Sequence, residues 1–264
     1  MIKNASGMGL ACSLTVLGVM ACAERLRPRR ARVAPSGPRW TANLAMVLVG
    51  GVLTRLLLPA TLVGAAIWAE IHRVGPLNRT LWPLWLKLVL GVVWLDLVIY
   101  WQHRLFHRVA WLWRVHSVHH TDLDLDASSG VRFHPLEFIL SAIVKMAAIA
   151  VFGVHFLGVT LFKIILNASS FFNHSNVAIP PALDAALRLI IVTPDMHRIH
   201  HAIETEEQNS NFGFCLPWWD FLFGTYRPRP RGEHSSLELG LKETRDSTKL
   251  GLMDLLLMPF RKSS

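Results

Sequence analysis

Eight histidines occur in three short clusters, and imidazole is the side chain that proteins use most often to bind metal ions. The clusters are His103 and His107; His116, His119 and His120; and His197, His200 and His201. Spacings of three and four residues place side chains on one face of a helix. Because one metal ion takes about four to six ligands, eight histidines on converging helix faces predict a site for two metal ions.

Two acidic residues near the clusters are candidates for orienting the imidazoles. Asp96 precedes His103 by a spacing that puts both on one helix face. A carboxylate inside an apolar helix is costly and needs a partner, so Asp96 is predicted to accept a hydrogen bond from a metal-bound imidazole. A structural hydrogen bond elsewhere in the bundle is the alternative. Asp195 is expected either to orient an imidazole or to begin a helix after Pro194.

The first cluster differs from the zinc-protease motif, in which a glutamate directly follows the first histidine and acts as general base. Here Arg104 follows His103. The missing base disfavours hydrolysis. Two functions for such a site stay open at this point: a zinc-dependent membrane hydrolase, and a membrane metal-binding protein without enzymatic activity.

The composition indicates that the elements carrying these histidines lie in or against a membrane. The chain has 264 residues, and its mean hydropathy of +0.36 is too apolar for an ordinary soluble domain. The net charge of +9 fits the positive-inside bias and attraction to anionic lipids. It does not form a basic stripe interleaved with aromatics, which argues against nucleic-acid binding. The three cysteines have no metal-binding spacing.

The first apolar run, residues 7–23, resembles a signal peptide but is followed by six arginines between residues 25 and 39. Arginines at this position resist translocation, so the run is expected to be an uncleaved anchor whose start lies outside the cell. Residues 27–38 are rich in arginine, proline, serine and glycine and are predicted to form a cytoplasmic linker. Residues 1–40 are therefore predicted to form an anchor and linker, and residues 41–264 the main membrane domain.

Three further apolar runs predict membrane helices. Residues 42–69 form one run, and residues 84–101 form a second that leads directly into the first histidine cluster. Residues 138–172 would make a helix about 52 Å long, against a bilayer core of about 30 Å. Glycines at 153 and 158 predict a break there and a helical hairpin. By alternation, all three clusters reach the cytoplasmic face.

At this point the sequence resembles the fatty acid hydroxylase (sterol desaturase) superfamily of membrane oxygenases. The resemblance extends from about residue 96 to residue 226, and is carried by the ordered motifs HRLFH (103–107), LWRVHSVHH (112–120), RFHPLE (132–137), HSN (174–176), TPDMHRIHH (193–201), NFG (211–213) and WDFLFGTY (219–226).

The resemblance implies an all-α, multi-pass transmembrane bundle with a cytoplasmic histidine-rich cap that holds two iron ions. It also implies dioxygen as co-substrate, a lipid substrate and a separate electron-donor protein. All eight clustered histidines would be ligands, and His174 matches an additional family histidine. A further family histidine would stand at Ser170. His134 is a possible extra ligand, or the start of a helix.

Other acidic residues are expected to be structural. Asp122, Asp124 and Asp126 alternate with leucine and are expected in a solvated loop, while Glu137 is expected to cap a helix or to pair with Arg132. The sequence leaves open whether the lipid is a sterol, fatty acyl, carotenoid or ether lipid. It also leaves open whether the reaction is hydroxylation or desaturation.

Overall fold

The computed structural model describes residues 2–261, except for the side chains of residues 2–6 and 8. Within this range the chain folds into α-helices, short 3-10 turns and loops, with two isolated antiparallel bridges. The predicted all-α class is confirmed.

Seven longer helices build the body of the protein. They are α1 (Ile2–Leu26), α2 (Ser36–Leu57), α3 (Leu62–Ile71), α4 (Leu84–Arg108), α5 (Ala110–His120), α6 (Pro135–Phe152) and α7 (Phe156–Asn173). Shorter helices follow in the last third of the chain: α8 (Pro181–Leu187), α9 (Pro194–His200), α10 (Thr205–Gln208), α11 (Trp218–Leu222) and α12 (Leu252–Leu257).

Five segments of the described chain are long and apolar enough to cross a bilayer. They are Gly9–Leu26, Ser36–Arg79, Leu84–Arg108, Pro135–Phe152 and Phe156–Asn173. Apolar side chains remain exposed on their outer faces, including Leu48, Leu56 and Val151. Outward-facing apolar surface of this extent suits lipid, and the protein is an integral membrane protein.

The prediction of one helix over residues 42–69 was wrong. The chain breaks between α2 and α3, where Leu58 is extended because Pro59 follows it. Thr61 then starts α3, and its hydroxyl accepts a hydrogen bond from the Gly64 amide at 3.0 Å. The hydropathy pattern did not reveal this break, because the short loop is nearly as apolar as the two helices that it joins.

The predicted hairpin at residues 153–158 is confirmed. α6 ends at Gly153, which has the left-handed φ of 78° that glycine tolerates best. His155 starts α7, its ring accepting a hydrogen bond from the Leu157 amide at 3.2 Å. α6 and α7 pack against α2, α3 and α4, with Ile149 and Phe162 in the shared core.

The segment between α1 and α2 is packed against the histidine-bearing part of the protein. The Arg29 amide donates to the Asn176 carbonyl at 2.8 Å, and the Arg29 side chain pairs with Asp195. Pro28 and Val177 form a bridge. The predicted linker is therefore a fixed part of the fold.

The expectation that Asp122, Asp124 and Asp126 lie in a solvated loop was wrong, because all three are buried. The Arg39 guanidinium bonds to Asp122 at 2.6 Å and to Asp126 at 2.8 Å. Burial alone would raise the pKa of Asp122, but Arg39 and Arg132 hold it well below its usual range. Charged residues are rarely buried unless they are paired, which is why a solvated loop was expected. The partner could not be predicted from the sequence, because Arg39 belongs to a distant helix.

Replacing Arg39 with methionine should destabilise the protein by about 3–5 kcal/mol, because the carboxylates of Asp122 and Asp126 would keep their burial and lose their shared cation. Thermal unfolding in detergent measures the effect. Lys249→Gln, which removes only an exposed pair with Asp246, is the matched control and should cost less than about 1 kcal/mol. Equal melting temperatures for the two variants would contradict the assigned role of Arg39.

Candidate metal centre

Nine histidines from four helices meet in one buried region. The end of α4 carries His103 and His107; α5 carries His116, His119 and His120; His174 follows α7; α9 carries His197 and His200, with His201 at its end. Thr193 caps the N-terminus of α9, and its hydroxyl accepts a hydrogen bond from the Met196 amide. This cap and Pro194 start α9 where its histidines face α5 and α7.

The nine imidazoles divide into two compact groups that can each hold a metal ion. One group contains His103, His107, His116, His120 and His200, and the other His119, His174, His197 and His201. Within each group the ligating atoms lie within 4.8 Å of one another. Each HxxHH cluster is therefore shared between the groups. Adjacent residues such as His119 and His120 point about 100° apart on a helix, so they serve different sites.

Backbone carbonyls fix the orientation and tautomer of several rings. His103 Nδ1 lies 2.9 Å from the Phe212 carbonyl oxygen. His174 Nδ1 and His200 Nδ1 each lie 2.8 Å from a carbonyl oxygen, those of Ser170 and Ser210 respectively. A carbonyl oxygen only accepts hydrogen bonds, so each Nδ1 carries the proton and each Nε2 keeps its lone pair. Imidazoles oriented in this way are typical of metal sites.

The free nitrogens of the second group face one another at hydrogen-bond distance. His174 Nε2 lies 3.0 Å from His119 Nε2 and 3.1 Å from His197 Nε2, which lies 3.2 Å from His201 Nε2. Burial lowers the pKa of His174 to about 4, so its ring is neutral at pH 7. The Nδ1 atoms of His174 and His119 face backbone carbonyls, so the Nε2 lone pairs of these two rings repel unless a cation lies between them. This donor set therefore fits a metal ion.

The first group presents the same kind of unsatisfied donors. Several of its buried ring nitrogens have no hydrogen-bond partner among the described residues: Nε2 of His103, His107, His116 and His200, and both nitrogens of His120. Burial lowers the pKa of His200 to about 3, against the raising effect of its bond to Ser210. Orphaned buried nitrogens are costly, and metal coordination would satisfy them.

Glu137 orients a histidine, a role that was not predicted from the sequence. Its Oε1 lies 2.8 Å from His116 Nδ1, while Arg132, the partner expected for it, bonds instead to Asn43 and Thr121. Glu137 belongs to the first turn of α6. The signal available in the sequence was the RFHPLE motif itself, which places a carboxylate three residues after His134.

Asp96 does not bond to an imidazole, so its predicted role in orienting a histidine was wrong, and the alternative, a structural hydrogen bond elsewhere in the bundle, is confirmed. Its carboxylate accepts hydrogen bonds from the Cys215 and Leu216 amides, both at 3.2 Å, and from Trp219 Nε1 at 2.8 Å. It thereby fixes the loop that brings the Phe212 carbonyl to His103. This contact could not be predicted from the sequence, because the loop lies more than 100 residues from Asp96 along the chain.

Asp195 and His134 also lie outside the two groups. Asp195 pairs with Arg29 and Arg198, at the start of α9, so its predicted role as a helix-initiating residue fits better than imidazole orientation. His134 uses both ring nitrogens: Nδ1 accepts from the Leu136 amide at 3.2 Å and Nε2 bonds to the Leu256 carbonyl at 3.1 Å. It caps α6 and is not placed to be a ligand.

A large, mainly apolar cavity leads from the membrane helices to the metal centre. Its volume is about 1340 Å³, above the roughly 300–1,000 Å³ typical of small-molecule pockets. His103, His116 and His119 line one end, and residues from α1, α2, α3, α4, α6 and α7 line the rest. A second pocket of about 310 Å³ reaches His107 from another side, beside Trp113 and Gln208.

This combination of apolar helices, paired histidine groups and a lipid-sized cavity defines a polytopic membrane protein with two candidate metal sites. The sequence profile of the fatty acid hydroxylase family matches residues 88–225, which is more than half of the chain. The chain belongs to this family. No solved structure matched the chain.

Several curated proteins are similar in sequence. Ornithine lipid hydroxylase OlsE from Rhizobium tropici is 29% identical over 69% of this chain and 52% of its own length. Alkylglycerol monooxygenase from Danio rerio is 27% identical over 74% of this chain and 41% of its own. A very-long-chain aldehyde decarbonylase from Oryza sativa is 25% identical over 59% and 26%. The chain thus spans about half or less of these relatives.

Glu137→Ala should lower metal affinity by about 10- to 100-fold, because His116 would lose the carboxylate that orients it. Metal content by elemental analysis during titration with a chelator measures this change. Glu70→Ala, on the outer part of α3, is the matched control and should keep the affinity of the unaltered protein. Identical chelator curves for the Glu137 variant and the unaltered protein would count against this role.

The metal-free protein should lose stability as the pH falls from 7 towards 4. The pKa of His174 is about 4 and that of His200 about 3 in the folded state, against an ordinary value of 6.5. Between these values the unfolded chain binds more protons, so each group costs about 1.4 kcal/mol per pH unit below 6.5. Melting temperatures at several pH values check the sign, and a rise on acidification would contradict it.

Proposed function

We propose that the protein is a membrane-bound non-haem di-iron oxygenase that hydroxylates or desaturates a lipid with dioxygen. The observation that carries this proposal is the junction of the large apolar cavity with both histidine groups, since His103 and His116 belong to one group and His119 to the other. An apolar substrate entering the cavity would meet both metal positions at once. The relatives named as lipid hydroxylase and monooxygenase support the same class of reaction.

The donor set is compatible with iron, and the choice of iron comes from the family. Imidazole ligands suit iron, zinc and copper, and neutral ligands leave the metal charge unreduced. The proposed ligands are the nine histidines of the two groups. Two iron ions held by them would supply activation of dioxygen for attack on a carbon–hydrogen bond.

The protein's own residues would orient the lipid and keep water away. Phe133 stacks on His119 with a centroid distance of 4.2 Å, and it lines the cavity beside Phe106. These rings cover the inner end of the cavity with apolar surface. Exclusion of water strengthens electrostatic interactions at the reacting atoms and suppresses side reactions.

Glu137 is placed to accept a hydrogen bond at the end of the cavity that the histidines line. Its Oε1 is engaged by His116, while its buried Oε2 has no hydrogen-bond partner among the described side chains and the residue lines the cavity. The Oε2 atom is therefore available to accept a hydrogen bond from water or from a substrate hydroxyl.

The histidine face is proposed to be cytoplasmic, and the electrons to come from a separate protein. Arg29 and Arg39 belong to the basic stretch that the positive-inside rule retains in the cytoplasm. Both contact the histidine-bearing side, through Asp195 and Asp122 respectively. The small pocket at His107 offers access to the centre from a side away from the lipid cavity.

Lipid analysis of cells with and without the gene, grown under ¹⁸O₂, tests the function. The expected result is a labelled hydroxyl group, or a new double bond accompanied by oxygen uptake, in one lipid class. His119→Ala should abolish this product, because His119 belongs to a metal group and lines the cavity. His72→Ala, an exposed histidine stacked on Trp68, is the control and should retain it.

Purified protein separates the competing functions. Iron at about two ions per chain is expected. Zinc together with oxygen-independent lipid hydrolysis would instead establish the hydrolase. A His119→Ala variant that melts at a lower temperature, with no lipid change between cells that contain and lack the gene, would establish a metal-binding protein without this activity.

A further inference from the structure

Two lysines lie midway along the membrane hairpin and line the large cavity. Lys145 is near the centre of α6 and Lys163 near the centre of α7. Within the described residues neither lysine has an ion pair, since the ion pairs found there all involve other side chains. Both cations line one mainly apolar cavity without an ion pair, so each needs a polar or anionic partner there.

The positions of the two lysines are not explained by extension of their side chains to the membrane surface. Each helix is 18 residues long, about 27 Å, so a central residue lies more than 10 Å from either end. Lysines near helix ends extend to the interface, whereas these two are central and border the cavity. Arg55, near the end of α2, lines the same cavity and adds a third positive charge.

The lysines are separated from the metal centre by a defined length of apolar cavity. Glu137, Ser141 and Lys145 follow one face of α6 at intervals of four residues, and all three line the cavity. Lys145 therefore lies about 12 Å along α6 from Glu137, which contacts His116. On α7, Lys163 lies about 10 Å along the helix from Ser170, whose carbonyl accepts from His174.

We infer that Lys145 and Lys163 form an anion-binding subsite, so that the lipid substrate carries an acidic group, either a carboxylate or a phosphate. This inference rests on the proposed lipid oxygenase function and specifies its substrate class. With the anion at the lysines, the chain runs towards the histidines. A distance of about 12 Å corresponds to roughly eight to ten carbon–carbon bonds in an extended chain, since each bond of about 1.5 Å advances less than its length. The oxidised carbon therefore lies far from the acidic group.

Binding of three 16-carbon probes to the purified full-length protein tests the subsite. The probes are hexadecanoate, hexadecyl phosphate and hexadecanol, which share a chain and differ in charge. At least one anion should bind about tenfold or more tightly than the alcohol, because a hydrogen-bonded charge pair in an apolar site is strong. The tighter of the two anions identifies the acidic group. Equal binding of all three probes would overturn the inference.

Variants assign the preference to the lysines. The double variant Lys145→Gln and Lys163→Gln should bind the anion about tenfold more weakly and leave alcohol binding unchanged. Lys145→Arg with Lys163→Arg keeps both charges and should keep the preference. Lys87→Gln is the matched control: Lys87 lies in membrane helix α4 but donates to the Thr80 carbonyl at 2.8 Å and does not line the cavity. An unchanged preference in the double glutamine variant would overturn the inference, and so would its loss in Lys87→Gln alone.

Binding and turnover distinguish this inference from the proposed function. A lysine-dependent anion preference in a protein that oxidises no lipid would retain the subsite and remove the function. Oxidation of a lipid with no such preference would retain the function and remove the subsite. In an oxidised product, a new hydroxyl or double bond about eight to ten bonds from the acidic group supports the inference, and oxidation within three bonds of it contradicts the inference.

Discussion

The structure depends on holding nine imidazoles in one region and aiming their ring nitrogens at one another. Ring nitrogens only 3.0 to 3.2 Å apart, such as those of His174 and His197, repel when both present lone pairs. In His103, His174 and His200 a backbone carbonyl holds the opposite ring nitrogen and prevents the ring from turning away. A bound cation converts this repulsion into attraction, and the surrounding fold is built to preserve the arrangement until one binds.

A network of buried charges supplies the rigidity around the histidines. Arg39 bonds to Asp122 and Asp126 beyond the end of α5, while Asp96 fixes the loop that reaches His103. Asp220 adds bonds to the amides of that loop at 2.7 and 2.8 Å. Buried charges are tolerated when fully paired and are costly when one partner is lost. Their removal would therefore disturb the metal centre from a distance.

The cavity joins this polar centre to the membrane helices. One wall is α6, which begins beside His116 through Glu137 and passes Lys145 at its centre. The same helix can thus relate the position of a lipid's acidic group to the position of the reacting carbon. A fixed helix of known rise converts sequence spacing into distance, which loops cannot do as reliably.

The sequence by itself determined the helical class, the break near Gly153 and the identity of the eight clustered histidines, because these depend on local periodicity and on residue spacing. His174 was predicted only from the family resemblance. Only the tertiary structure decided how His119 and His120 divide between two groups, that Glu137 orients His116, and that Asp96 serves a loop. It also buried Asp122 beside Arg39. These contacts join residues that are distant along the chain or face different ways on one helix, and short-range patterns contain no information about which distant partner will be met.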